Sequence, residues 1–203
     1  MQKTFALVLA LVFALGSGRA AWAQDGDDSY TEKWYLHAHL QAQSQDLGNA
    51  DDVDGGGGFG VRAGYGVSPL ATLYTGLSFS SMSTEAALSE QNLGDEYGLV
   101  TFELGSQFNF RRGKKWVPFF DAAIIGVASA SNEDDRDVNV SGGGLGVGGG
   151  VKYFISPEFA LDAGFYSSVG DYSDSDVDGD SRDISLAFNN GRLAFGFSWY
   201  PSR

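Results

Sequence analysis

Large apolar side chains alternate with small or polar ones in eight separate segments of the chain. Alternation with a period of two is typical of a β-strand whose two faces meet different surroundings. The last segment shows it clearly, because Leu193, Phe195 and Phe197 are each followed by a small residue. The pattern predicts eight strands, near residues 34–43, 58–65, 72–79, 99–110, 120–128, 145–154, 159–166 and 193–200.

The connections between these segments alternate in length. Short ones lie near Ser68-Pro69, at Arg111–Lys115 and at Ser156–Glu158. Long ones lie near residues 44–56, 81–96, 129–141 and 168–183. Short turns at one end and long loops at the other are typical of bacterial outer-membrane barrels. The pattern therefore predicts an all-β fold: a closed antiparallel eight-stranded transmembrane β-barrel with short periplasmic turns and long acidic extracellular loops.

One stretch before the last strand does not fit this scheme. Ile184, Leu186 and Phe188 alternate at even positions, whereas the closing segment alternates at odd positions, and Asn189-Asn190-Gly191 lies between the two. A β-bulge in a long last strand would change the phase in this way. A hairpin turn that adds an extra pair of strands is the alternative. We favour the bulge.

The polar faces of the predicted strands carry few charges. In a soluble lipocalin-like barrel these faces would form the outer wall, and soluble surfaces usually contain about 25–35% charged residues. The apolar faces carry no charge, and a charge there at mid-membrane would cost about 2–4 kcal/mol. We therefore expect the apolar faces to contact lipid and the polar faces to line a narrow lumen. The charges predicted for this lumen are Arg62, Glu103, Asp121, Lys152 and Asp162.

These five charges are expected to form a network of ion pairs, because an unpaired charge in a narrow lumen is costly. Asp121, Lys152 and Asp162 fall at similar depth on three adjacent predicted strands. Lys152 is therefore expected to bridge the two carboxylates. Arg62 and Glu103 lie on non-adjacent strands, but an eight-stranded barrel is narrow enough for side chains to meet across it. A plugged lumen is the simpler interpretation of the network, and an ion path is the alternative.

The N-terminus has the features of a secretion signal. Lys3 precedes an apolar stretch over residues 5–15, and Ala21-Trp22-Ala23 fits a small-x-small cleavage site. We predict a signal peptide at 1–23, a periplasmic N-terminal segment at 24–32 and the barrel domain at 33–203. The predicted location is the cell outer membrane, after cleavage near Ala23.

The formal net charge of −13 argues against nucleic acid as a partner. Most of the acidic residues fall in the four predicted long connections, while Arg111–Lys115 holds four basic residues at the opposite end. Solvated loops explain this distribution most simply. Contact with a basic partner, or divalent cations held among lipopolysaccharide phosphates, are the functional interpretations.

Two groups of residues are candidates for metal or catalytic chemistry. Asp174, Asp176, Asp178 and Asp180 resemble the first half of a Ca²⁺-binding loop, although its twelfth position is Ser185 rather than Glu. His37 and His39 share the lumen face of the first strand and could chelate a metal or supply a general base. No third His and no His-x-Ser motif accompany them. We predict no catalytic residue and no cofactor beyond loosely bound divalent cations.

Two motifs carry a resemblance to a known family. In Gly146–Phe165 a Gly-rich strand ends in aromatic residues, turns at Ser-Pro and continues with alternating residues; Trp116–Phe120 begins the fifth strand. Over residues 33–200 the chain resembles the OmpA-like/OmpX-like outer-membrane β-barrels. The resemblance implies a closed eight-stranded barrel in the outer membrane, assembled by the barrel-assembly machinery, with no catalytic residues. The family usually ends in an aromatic residue, whereas Pro201-Ser202-Arg203 follows Tyr200 here.

The sequence as a whole predicts a non-enzymatic integral outer-membrane protein that contributes to envelope integrity, surface interaction or adhesion. Its expected partners are outer-membrane lipid, lipopolysaccharide and a surface or host molecule. An outer-membrane enzyme that modifies lipid A is the second hypothesis. A soluble exported barrel that binds a ligand is the third.

Overall fold

The computed structural model describes residues 31–48, 53–83, 96–110, 115–133, 136–177 and 180–201. Each strand pairs antiparallel with its neighbours in sequence, and the eighth returns to pair with the first, so the barrel is closed. The predicted all-β fold, a closed antiparallel barrel of eight strands, is confirmed. The strands are β1 (Trp34–Leu47), β2 (Val53–Ser68), β3 (Ala71–Ser83), β4 (Glu96–Asn109), β5 (Trp116–Glu133), β6 (Arg136–Ser156), β7 (Phe159–Val177) and β8 (Asp180–Trp199).

The predicted signal peptide at 1–23 and the part of segment 24–32 before Thr31 lie outside the described residues. No helix in the described part of the chain is long and apolar enough to cross a membrane.

The two faces of the barrel wall differ sharply in chemistry. Trp34, Leu40 and Phe195 on the outside are 63%, 71% and 67% exposed, whereas Arg62 and Lys152 on the inside are 5% and 2% exposed. This is the reverse of a soluble barrel, which buries its apolar face. The outer wall suits acyl chains, and the closed ladder satisfies the backbone groups without water. The soluble lipocalin-like alternative is therefore wrong.

Both ends of the described chain, the turns at residues 69–70 and 157–158, the end of β4 and the start of β5 lie at one end of the barrel, which we call the terminal end. Aromatic rings on the outer wall contact one another there. The ring centroids are 5.2 Å apart in Trp34–Tyr65 and 4.6 Å apart in Trp116–Tyr153. Such rings are typical of the girdle at a membrane–water boundary.

At the opposite, distal end the predicted long connections 129–141 and 168–183 are wrong, because most of these residues belong to strands. β5 to β8 have 18 to 21 residues, and β1 to β4 have 13 to 16. Antiparallel pairing between successive strands of β5–β8 holds these residues in strands, with register shifts in the β6–β7 and β7–β8 pairs. The parts of β5–β8 beyond their pairing with β4 and β1 form a distal wall, defined as residues 131–133, 136–143, 171–177 and 180–186.

Residues 184–188 belong to β8 and not to an extra hairpin, so the favoured single strand is right, but the predicted bulge position is wrong. Even-numbered residues of β8 face inward both before and after Asn189–Gly191, so the strand has no bulge at these residues. The register shifts farther on, where Ser173 of β7 opposes Ile184 and Ser185 of β8. The apolar even positions were misleading because Phe188 is itself an inner side chain, packed in an apolar cluster inside the barrel.

Candidate functional site

The interior of the barrel is filled at three levels between its two ends. A polar network occupies the middle, and an apolar cluster lies on either side of it. The terminal cluster contains Tyr35, Tyr74, Val117, Phe154, Ala160 and Tyr200. The distal cluster contains Leu47, Met82, Tyr97, Leu99, Ile125, Val127, Tyr172 and Phe188.

Glu103 of β4 lies at the centre of the polar network and binds two arginines. Arg62 Nη2 lies 2.8 Å from Glu103 Oε2, and Arg62 Nε donates to the same oxygen at 3.0 Å. Arg192 Nη2 donates to the other carboxylate oxygen. The three residues come from β2, β4 and β8, which are not neighbours, so the carboxylate ties strands together across the lumen. Charge-assisted bonds of this kind are among the stronger hydrogen bonds in proteins.

Aromatic rings hold the two guanidinium groups in place. The guanidinium carbons of Arg62 and Arg192 each lie 4.7 Å from the ring centroid of Tyr166, and Arg62 lies at the same distance from Tyr74. These are cation–π distances. Gly148 makes room for this arrangement, because a Cβ atom there would lie 2.3 Å from Cδ1 of Tyr166.

The predicted lumen charges separate into two groups rather than one. Lys152 Nζ donates to Asp162 Oδ1 at 2.6 Å, and the two residues are direct partners across β6 and β7. Asp121 pairs instead with Arg62, at 3.5 Å from Nη1, and accepts from Gln107 at 3.1 Å. The expected bridge from Lys152 to both carboxylates is therefore wrong. The reason is register, since Lys152 lies opposite Val117 of β5, four residues closer to the terminal end than Asp121.

His37, Ser198 and Asp162 lie together, which are the residue types of a catalytic triad. Ser198 Oγ donates to Asp162 Oδ2 at 2.7 Å, and His37 Nδ1 lies 3.1 Å from the same hydroxyl. In a triad the serine proton passes to the histidine, but here it is directed to the carboxylate. Ser198 is also fully buried. The hydroxyl of Ser198 is therefore hydrogen-bonded within the lumen on both sides.

The structure also places the candidate metal residues. His39 stacks on His37 at 5.1 Å, and its Nε2 lies 3.1 Å from Gln41 Oε1. The described residues contain no group of three or more His, Cys, Asp or Glu side chains arranged to hold a metal.

The Ca²⁺ candidates lie at the β7–β8 hairpin. Asp174 and Asp176 belong to β7 and Asp180 begins β8, while Asp178 lies outside the described residues. Asp176 accepts a hydrogen bond from Ser181 across the hairpin at 2.9 Å. An extended strand spaces alternate residues by roughly 7 Å, whereas a Ca²⁺ loop wraps its ligands around the ion. The Ca²⁺ site stays a prediction, and the strand geometry does not favour it.

Sequence reasoning missed Arg192, and it gave no role to Tyr166 and Tyr74, although the alternation along their strands puts both on inner faces. Arg192 is even-numbered, like Gly196 and Ser198 on the inner face of β8. Extending the predicted last strand back by one residue from Leu193 would therefore have included it. It was omitted because a break was placed at Asn189–Gly191. The alternation along a strand shows that these tyrosines face the lumen, but it does not show that their rings meet the guanidinium groups of residues on other strands.

Comparisons with known proteins agree with this geometry. The sequence profile of the family described as "Outer membrane protein beta-barrel domain" matches residues 6–199. The fold is similar to that of Neisserial surface protein A, with a TM-score of 0.61, 16% identity, and coverage of 83% of this chain and 97% of that one. OprG from Pseudomonas aeruginosa gives a TM-score of 0.59 at 9% identity, covering 87% and 100%. Ail, the attachment invasion locus protein of Yersinia pestis, gives 0.52 at 12% identity, covering 83% and 99%.

A sequence relative is the filamentous hemagglutinin of Bordetella pertussis, 33% identical over 129 residues, which are 64% of this chain. The chain spans 3% of the length of that relative.

Proposed function

Because the chain belongs to the outer membrane protein beta-barrel family, we propose that it is a non-enzymatic surface protein that binds basic partners through its distal wall. The chain is a β-barrel protein of the outer membrane. Barrels of this kind keep their short turns in the periplasm, so the terminal end faces inward and the distal wall faces the exterior.

The observation that carries this proposal is an open sheet edge on the distal wall. Asp180–Leu186 of β8 pair with β7 on one side. On the other side, β1 pairs as far as Leu47 and Gly48 contacts Ala187, and no strand among the described residues pairs with β8 beyond that point. An unpaired edge presents N–H and C=O groups that an extended segment of another protein can bind as an added strand.

Charge on the wall selects the partner. Asp171, Asp174 and Asp183 are exposed there, beside Arg182. Asp174 and Asp183 are direct cross-strand partners, so two like charges lie side by side, which is unfavourable unless a cation or a basic side chain lies near them. A segment with alternate basic and apolar residues satisfies both the edge and the charges. A polyanion such as heparin does not satisfy them, because its negative charges would lie against those of the wall.

The filled lumen supports the non-enzymatic part of the proposal. The terminal and distal clusters lie on either side of the polar network, and the His37–Ser198–Asp162 group is buried between them. The two clusters of described residues separate these groups from both ends of the lumen, which supports the absence of a reaction with a lipid substrate. Incubation of the purified protein with lipopolysaccharide should release no fatty acid, and measurable release would support the lipid A enzyme instead.

Binding is tested with a fluorescent peptide of alternating Lys and Val added to the protein in nanodiscs. Removing two wall charges, D171N with D183N, should weaken binding by about tenfold, since two exposed ion pairs contribute up to about 1 kcal/mol each. The charge-matched control is E32Q with E158Q at the terminal end, which should bind as the unmodified protein does. Amide hydrogen exchange at residues 181–186 should slow when the peptide binds. Equal binding by both variants, or no protection of these amides, would refute the proposal.

A further inference from the structure

Five buried side-chain polar atoms in the described part of the chain have no hydrogen-bond partner within the protein: His39 Nδ1, Asn109 Oδ1, Asp121 Oδ1, Asn190 Oδ1 and Arg192 Nε. Three of the five, on Asp121, Asn190 and Arg192, belong to residues that line one cavity. The three residues are 1%, 4% and 8% exposed. Buried polar groups in folded proteins are almost always satisfied, by protein or by ordered water. Three such atoms around one cavity therefore require an explanation.

The three residues line the same cavity. It has a volume of about 30 Å³ and lies beside the ion pair of Glu103 with the two arginines. One water molecule needs roughly 10–15 Å³ measured in this way, so the space suits one or two waters. Its other lining residues include Gln43 and Tyr166.

The chemistry of the three atoms matches water better than an ion. Asp121 and Asn190 present oxygen acceptors, and Arg192 presents an N–H donor. A cation would meet the guanidinium of Arg192, and an anion would meet the carboxylate of Asp121. The charges are already paired, since Glu103 binds both arginines and Asp121 binds Arg62. A water molecule donates two hydrogen bonds and accepts from one donor at no electrostatic cost.

We propose that this cavity is a binding site for one or two internal water molecules that join Asp121, Asn190 and Arg192. The site connects β5 with β8, whose polar groups at this level do not bond directly. The terminal and distal clusters enclose the network from both sides, so a water held there exchanges slowly with bulk solvent. The site completes the hydrogen bonding of the network without adding charge.

The direct test is a crystal structure of the protein grown from a lipid mesophase at high resolution. We expect electron density within hydrogen-bond distance of at least two of the three atoms. The N190L variant removes one acceptor and fills part of the cavity, so this density should disappear. The matched control is N189L, the same change at the adjacent residue, whose side chain faces outward; here the density should remain.

Two further measurements keep the proposal testable if N190L does not fold. Oxygen-17 relaxation dispersion on the unmodified protein in micelles should detect at least one long-lived internal water. Crystals grown with rubidium salt should show no anomalous peak in the cavity. The absence of density in the unmodified protein would overturn the proposal, as would a rubidium peak at the site or density that survives unchanged in N190L.

Discussion

At the scale of single residues, Glu103 has the largest predicted effect. It is buried and binds two arginines from strands that are not its neighbours. Removing one partner of a buried ion pair leaves an uncompensated charge, which costs more than the intact pair contributes. Here a single change leaves two guanidinium groups with reduced compensation. The stability of the barrel should therefore respond to Glu103 more than to Glu96, the other acidic residue of β4.

We predict that E103Q lowers the free energy of unfolding by about 3–5 kcal/mol. The measurement is urea unfolding of the protein in lipid vesicles, followed by tryptophan fluorescence. The control is E96Q, the same substitution on the same strand at an exposed position, which should change stability by less than about 0.5 kcal/mol. Equal midpoints for the two variants would contradict the assigned role of Glu103.

A second prediction concerns Gly148. A Cβ atom there overlaps Tyr166, whose ring contacts both arginines. G148A should therefore cost about 1–3 kcal/mol through overpacking. G126A is the control, because a Cβ atom at Gly126 meets nothing within 4 Å. Thermal unfolding followed by heat-modifiable gel mobility compares the two variants, and the prediction fails if both unfold at the same temperature.

The alternation of apolar and polar residues along each strand was enough to place five charges inside the barrel: Arg62, Glu103, Asp121, Lys152 and Asp162. It was not enough to pair them. Pairing depends on the stagger of each strand against its neighbours and on which residues meet across the lumen, and neither is encoded in the period of a single strand. This is why Lys152 was assigned two carboxylates and has one, and why Arg192 was missed.

At the scale of elements, β8 shows how one strand serves two environments. Phe195 faces outward and is 67% exposed, whereas Phe188 is 3% exposed and packs against Tyr172 with their ring centroids 5.2 Å apart. Near the distal end, apolar residues are on the inner face, because the distal cluster lies there. Hydrophobicity alone therefore gives the wrong face for residues 184–188. It also hides the length of β5–β8, where polar outer residues look like loops.

F188A should destabilise the barrel by about 3–5 kcal/mol, since truncation of a packed inner ring leaves a cavity. F195A on the same strand should cost less, because acyl chains fill the space left on the outer wall. Both are measured by urea unfolding in the same vesicles. A larger loss for F195A than for F188A would show that the two faces of β8 have been assigned wrongly.

At the scale of the whole molecule, two apolar clusters in series close the lumen. At the distal end, hydrogen bonds reinforce the closure: Gln45 Nε2 donates to Tyr172 Oη at 2.8 Å, and Tyr97 Oη donates to Asp54 at the same distance. At the terminal end, Tyr200 stacks on Tyr35 with ring centroids 5.6 Å apart. Because either cluster alone should block the lumen, we expect the barrel to act as a scaffold for its outer surface rather than as a pore.

In planar lipid bilayers we therefore expect no steady conductance from the unmodified protein. M82A with Y172A opens the distal cluster but leaves the terminal cluster intact, so this variant should not conduct either. Steady currents from the unmodified protein would contradict a closed lumen. Steady currents from the double variant alone would show that the terminal cluster does not close it.

The account as a whole depends on which face of the wall meets lipid. Leucine and valine methyl groups labelled with carbon-13 report this without any substitution, through nuclear Overhauser effects to acyl-chain protons in nanodiscs. The outward residues Leu36, Val61, Leu104 and Leu193 are each more than half exposed, and their methyl groups should contact lipid. The inward residues Leu99, Val117 and Val127 should show no such contact. Lipid contacts at the second group and none at the first would contradict the account.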